Sequence, residues 1–125
     1  MPFNAQQIAY LREQGYGRLA TVGASGEPHN VPVSFEIDAD HGTIEITGRG
    51  MGQSRKFKNV RADARVSFVV DDIPSRDPEV VRGIVIHGIA EALPTGGRAR
   101  RPHCADEMIR IHPRRVIAWG IEEQK

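Results

Sequence analysis

The sequence predicts a mainly β protein, a six-stranded antiparallel barrel with an N-terminal helix and a short basic helix. Three observations point there. Short apolar alternations recur along the chain between clusters of Gly, Pro, Asp and Ser, which is how antiparallel strands joined by tight connections read. Helix punctuation stands at two places, Asn4 and Ser54. No internal repeat or strand–helix–strand alternation suggests a parallel sheet. At 125 residues the chain has room for one domain, residues 1–125, with a core of its own.

Residues 4–14 read as the first helix. Asn4 is the N-cap, Gln7 stands where a capping box needs it, and Phe3 and Ile8 are spaced as a hydrophobic staple. Gly15 is the expected stop. Arg18–Gly23 is a strand and Ala24–Pro28 a turn. His29–Ile37 puts Val31, Val33, Phe35 and Ile37 on one face. Pro32 cannot donate to a ladder, so this strand belongs at an edge or a bulge. Asp38–Gly42 is a hairpin loop and Thr43–Thr47 the return strand. Asp38, Asp40 and His41 lack the Gly and Glu that a calcium loop carries at its sixth and twelfth positions, so they read as a solvated turn.

Arg55–Ala62 is the basic helix, capped by Ser54, with Phe57 and Val60 facing the core. Arg65–Asp71 alternates Val66, Phe68 and Val70. Ile73–Glu79 reads as a loop. Val80–Leu93 contains a long strand with Ile84 and Ile86 on one face and Val85, His87 and Ile89 on the other. Apolar residues on both faces predict a strand with neither side in water, and His87 an interior or interface histidine. Pro94–Asp106 reads as an exposed, mobile loop with solubilising arginines, and its Cys104 as a bystander. Met108–Trp119 closes the chain, bent at His112–Pro113; Trp119 belongs to the core or a dimer interface.

The bulk properties exclude several classes. One cysteine rules out an internal disulfide and a multi-cysteine zinc site. A net charge of +1 argues against a generic nucleic-acid binder. No apolar run approaches the ~18 residues of a membrane span, and no basic segment leads into an apolar one as in a signal peptide. The expectation is a cytoplasmic protein without nucleic-acid or membrane partners.

The charge is unevenly spread. Arg49, Arg55, Lys56, Lys58, Arg61 and Arg65 face only Asp63, a local balance of +5. The preceding Gly48, Gly50 and Gly52 are spaced G-x-G-x-G, outside any strand–helix–strand unit, which excludes a dinucleotide fingerprint; no Gly-Lys-Ser/Thr ending follows, which excludes a P-loop. Arg55, Lys56 and Lys58 occupy the first turn of their helix, where the macrodipole is already positive. That placement is resolved by an anion bound among free N–H groups, the Ser54 hydroxyl and the cations. A solvated basic face is the competing reading. No nucleophile–base set stands out, so an enzyme of this sequence would rely on a bound cofactor.

The segment Ser54–Val70, S-R-K-F-K-N-V-R-A-D-A-R-V-S-F-V-V, resembles the phosphate-binding segment of the pyridoxamine 5′-phosphate oxidase-like split β-barrel superfamily. Leu19–Val33 resembles its first hairpin, and Ile109–Gly120 the closing strand of its actinobacterial, coenzyme F-420-dependent oxidoreductase branch. The resemblance implies a homodimer of split barrels with cofactors in clefts between the subunits. By position, Ser54, Arg55 and Lys56 would hold the cofactor phosphate, with Lys58, Asn59 and Thr47 nearby. Val31, Pro32, Val33 and Ser34 would run beside the flavin or deazaflavin ring. Trp119 would approach the ring from the second subunit. Ala64 stands where the family has Pro, the glycine turn is longer, and the C-terminal segment that pyridoxamine oxidases use for vitamin B6 is missing. The function implied is an F-420-dependent oxidoreductase passing a hydride to a small electron-poor acceptor, with no catalytic protein residue and no metal. An FMN-dependent oxidoreductase, a non-catalytic flavin or deazaflavin carrier, and a β-barrel interaction module are the alternatives.

Overall fold

Alternating strands with one apolar face bury it most completely by closing on themselves. The structure, a computed structural model that describes residues 2–121, shows this closure. Its elements are α1 (Ala5–Glu13), β1 (Tyr16–Val22), β2 (Pro28–Asp38), β3 (Thr43–Thr47), α2 (Arg55–Ala62), β4 (Arg65–Arg76), β5 (Glu79–Leu93), α3 (Gly97–Arg100) and β6 (Met108–Trp119). The strands form an antiparallel barrel in the order β1-β2-β3-β6-β5-β4, with β4 returning to β1. Inward residues such as Leu19, Ile44, Phe68, Ile86 and Ile111 are fully buried. Phe35 meets Phe68 edge to face at 5.1 Å, a favoured aromatic geometry.

The barrel is split into two halves. Long ladders hold β1-β2-β3 together and β4-β5-β6 together. The halves meet at two short seams, Arg18–Ala20 against Ser67–Val69 and Ile44–Ile46 against Ile109–Ile111. β2 pairs with β3 only from Ser34 onward. Its first half, Pro28–Val33, is bound to β1 alone, so Pro32 does sit on a strand edge, where a missing N–H is tolerated.

The helix signals are borne out. Asn4 and Gln7 form the reciprocal capping box, with bonds of 2.8 and 3.0 Å, and Phe3 is buried. Ser54 accepts from the Phe57 N–H, and Phe57 and Val60 face the core. The Tyr10 hydroxyl donates to Asp72 at 2.7 Å, while Arg82 lies over the Tyr10 ring and donates to the same carboxylate. These bonds fasten α1 to the β4–β5 ribbon.

Several sequence expectations are corrected. Ile73–Glu79 is not a loop. β4 runs to Arg76, a register shift between Asp72 and Ser75 absorbs Pro74, and the turn contracts to Asp77–Pro78. α1 ends at its C-cap Gln14, directly before Gly15 as expected, although Gly15 does not take the left-handed conformation. β5 does not have both faces covered within one chain: Val85 and Ile89 are half-buried and His87 is exposed, so His87 is not interior. Trp119 is 38% exposed and does not belong to the core. Pro94–Asp106 contains α3, and its Gly97 and Cys104 are buried. Its Arg100 is not merely solubilising: it donates to Asp38 and Glu45.

Candidate functional site

β3 ends at Thr47, directly opposite Ser34 of β2. The chain then turns through Gly48–Gln53 and enters α2 at Ser54. The turn is internally bonded: the Gln53 N–H reaches the Gly50 carbonyl at 3.2 Å and the Ser54 N–H the Met51 carbonyl at 3.0 Å. Met51 is fully buried and anchors it.

At the start of α2 the N–H groups of Arg55 and Lys56 have no hydrogen-bond partner among the described residues. Arg55 and Lys58 are exposed and Lys56 is half-buried. Partial burial pulls the Lys56 ammonium below its ordinary pKa. Of the six cations from Arg49 to Arg65, only Arg65 forms an ion pair among the described residues, with Asp63 at 2.6 Å. That contact holds the Asp63 carboxyl down at about 2. The single acid of the island is therefore committed away from Lys56. A half-buried cation beside unpaired N–H groups is costly without a counter-charge. The donors fit a phosphate.

The other predicted site residues divide. Ser54, Arg55, Lys56 and Thr47 border the same turn. Ser54 spends its hydroxyl proton on the Met51 carbonyl, at 2.7 Å. Asn59 is buried and donates to the Thr21 hydroxyl at 3.0 Å, tying α2 to β1. Val33 is buried with its side chain in the core, so only its backbone is open to a ligand. Val31 is half-buried, Pro32 exposed and Ser34 half-buried. Trp119 pairs with Gly83 on β5, and the structure does not bring it to α2 within one chain.

Two features escaped the sequence reading. One is a buried carboxylate, Glu45 on β3, only 1% exposed. It accepts from Arg110 Nε at 3.0 Å and Arg100 Nη2 at 3.1 Å. Arg100 also reaches Asp38 at 3.1 Å. The hydrogen bonds to Glu45 raise the Arg110 pKa. An acid between two isoleucines, with arginines far along the chain, was the available signal. The other is a cavity of about 460 Å³ on the outer face of the sheet, lined in part by Ala20, Val22, Ser67, His87 and Arg114. Beside it Val69, Val85 and Ile117 form one cross-strand row.

Residues 3–123 match the family described as pyridoxamine 5′-phosphate oxidase. The chain belongs to that family. It is 77% identical over 122 residues to a 5a,11a-dehydrotetracycline/5a,11a-dehydrooxytetracycline reductase of Streptomyces rimosus, covering 98% of this chain and 86% of the relative. Solved structures with the same fold include a conserved hypothetical protein of Mycobacterium tuberculosis (TM-score 0.69, 23% identity, 98% of this chain and 91% of the other). An FAD-binding protein of Mesorhizobium loti is another (TM-score 0.68, 22% identity, 93% and 92%). The family member's split barrel is thus the expected one. Among the described residues, no helix is long and apolar enough to cross a membrane.

Proposed function

We propose that this protein is an F-420-dependent reductase of a small polycyclic acceptor, reducing a carbon–carbon double bond of the dehydrotetracycline kind. The observation that carries the reading is the 77% identity, along almost the whole chain, to a reductase of such compounds. The unpaired, half-buried Lys56 at the start of α2 supports a phosphate-bearing cofactor. When bound, the reduced deazaflavin supplies the hydride.

The chain's own residues bind and orient. Lys56, Arg55 and the first N–H groups of α2 hold the phosphate, with Lys58 adding charge from the exposed side. The unpaired edge of β2 from Val31 to Val33 offers backbone groups to the ring. Thr47 and Ser34 close the floor between them. Ser54 acts mainly through its backbone and as the helix cap, and Asn59 by fixing α2 on β1. No side chain is assigned as acid or base, so the proton that completes the reduction comes from solvent. The apolar row Val69–Val85–Ile117, with Ile117 41% exposed and the neighbouring Trp119 38% exposed, supports a homodimer in which the partner covers this face and completes the cleft.

Fluorescence titration with F-420 and with FMN, followed by turnover of a dehydrotetracycline with the reduced cofactor, tests the reading. Saturable F-420 binding and loss of the acceptor's double bond are expected, from a particle of about twice 13.8 kDa in light scattering. Preference for FMN would reassign the cofactor. Tight binding without turnover on this acceptor and a panel of enones would make the protein a carrier. Binding of neither cofactor would leave an interaction module.

A further inference from the structure

We infer that Arg100, held by Glu45, is a positioning residue for the anion site at the start of α2. The inference rests on the phosphate site proposed above and extends it to residues that touch no ligand.

Residues 96–106 form a closed loop. The Gly97 N–H donates to the Asp106 carbonyl at 2.7 Å, and the Asp106 carboxylate accepts from the Gly96 and Arg98 N–H groups at 3.2 Å. The Arg101 N–H returns to the Gly97 carbonyl at 2.9 Å. A Cβ at Gly97 would overlap the Ala105 carbonyl, so the two arms are packed against each other. So bonded, the loop moves as one piece, and a tether at one point sets the place of the rest. Arg100 is a tether. It reaches Glu45 and Asp38 on the outer side of the β2–β3 hairpin, and Glu45 is itself held by Arg110 of β6.

The far end of the same loop touches the glycine turn. The Ala105 N–H donates to the Gly48 carbonyl at 3.0 Å. Glu107 lies so close to Gly52 that a Cβ there would overlap its carboxylate. Gly48 and Gly52 bracket the turn whose last residue, Ser54, caps α2. The place of the Lys56 ammonium and the first N–H groups is thus set through Glu45, Arg100, Ala105 and Gly48. Fold stability alone does not call for this device, because buried ion clusters are often matched by apolar residues of similar size. One guanidinium nitrogen bridging two carboxylates on a rigid planar group does fix direction, which apolar packing does not.

The test compares ligands with and without the phosphate: FMN against riboflavin, or F-420 against its phosphate-free deazaflavin nucleoside analogue, whichever ring binds. Wild type prefers the phosphorylated ligand, and Lys56→Ala removes most of that preference. Arg100→Met is expected to cut the preference about five- to tenfold, the worth of one weakened charged hydrogen bond, while leaving the phosphate-free affinity unchanged. Arg100→Lys, which keeps the charge but not the rigid planar head and its reach, recovers part of it. Circular dichroism and a melting curve establish that each variant is folded; should Arg100→Met not fold, Arg100→Lys alone is read by the same ratio, with a smaller loss expected. If Lys56→Ala removes the preference but the Arg100 variants keep it, or if both affinities fall together, the positioning role is wrong and the phosphate site stands. A wild type with no preference, or binding neither ring, overturns the phosphate site and this inference with it.

Discussion

Two groups of cations lie along β3, one on its outer face and one beyond its end, and the chain treats them oppositely. On the outer face Arg100 and Arg110 converge on Glu45, and Arg100 takes Asp38 as well. Beyond Thr47, five of the six cations from Arg49 to Arg65 have no ion-pair partner among the described residues. Both groups approach a positive local balance in the sequence, yet only the first is neutralised by the fold. A cation matched inside the chain secures structure. One left half-buried at a helix start, against the macrodipole, is matched by something that binds.

The sharpest way to break this contrast is to remove one anion and one cation. Glu45→Ala strands Arg110 and leaves Arg100 with Asp38 alone; the two side chains are 34% and 32% exposed. Their exposure moderates the loss from the ~3–5 kcal/mol of a fully buried pair to about 2–3 kcal/mol, read from urea unfolding. Lys56→Ala acts the other way. Its unfolding midpoint stays within about 0.5 kcal/mol of wild type, but cofactor affinity falls by about 1.5–3 kcal/mol in a fluorescence titration. Equal stability losses in the two variants would erase the distinction.

Smaller effects come from pH. Lys56 binds an anion only when protonated, and burial lowers its pKa in the free protein. Affinity is therefore constant through neutral pH and declines as pH rises through that lowered value, earlier than for an ordinary lysine at ~10.4. Lys56→Arg should flatten the decline. On the acid side, burial pushes the Asp38 carboxyl up, but hydrogen bonds from His41 and Arg100 outweigh it and hold the group at about 2. Its folded value lies below the unfolded one, so its stabilisation is full above ~3.9 and is lost as pH falls toward 2. Wild type should lose more stability than Asp38→Asn between pH 5 and pH 3.

The legible parts of this protein are local. The Asn4 capping box acts over three residues, and the Ser54 cap and its buried Phe57 and Val60 over six. Alternation in β2 and β4 acts over neighbouring pairs, and it predicted which side chains turn inward. The six strands, the two punctuated helices and the stretch richest in unpaired cations were therefore readable. The strand extension past Pro74 was not, because the tolerance of a proline depends on a register shift that only the partner strand creates.

The sequence by itself determined most of the barrel's elements and where its positive charge would be concentrated, since propensity, capping and charge counting are properties of adjacent residues. Only the tertiary structure decided which charges would be compensated. Glu45 finds Arg100 and Arg110 across 55 and 65 residues; that pairing exists only once β3 lies beside β6 and the loop before β6 folds over both. It also decided that Trp119 pairs with Gly83 at the surface and that Asn59 donates to Thr21. Closing the barrel sets distances between residues far apart in the chain, and no local rule contains those distances.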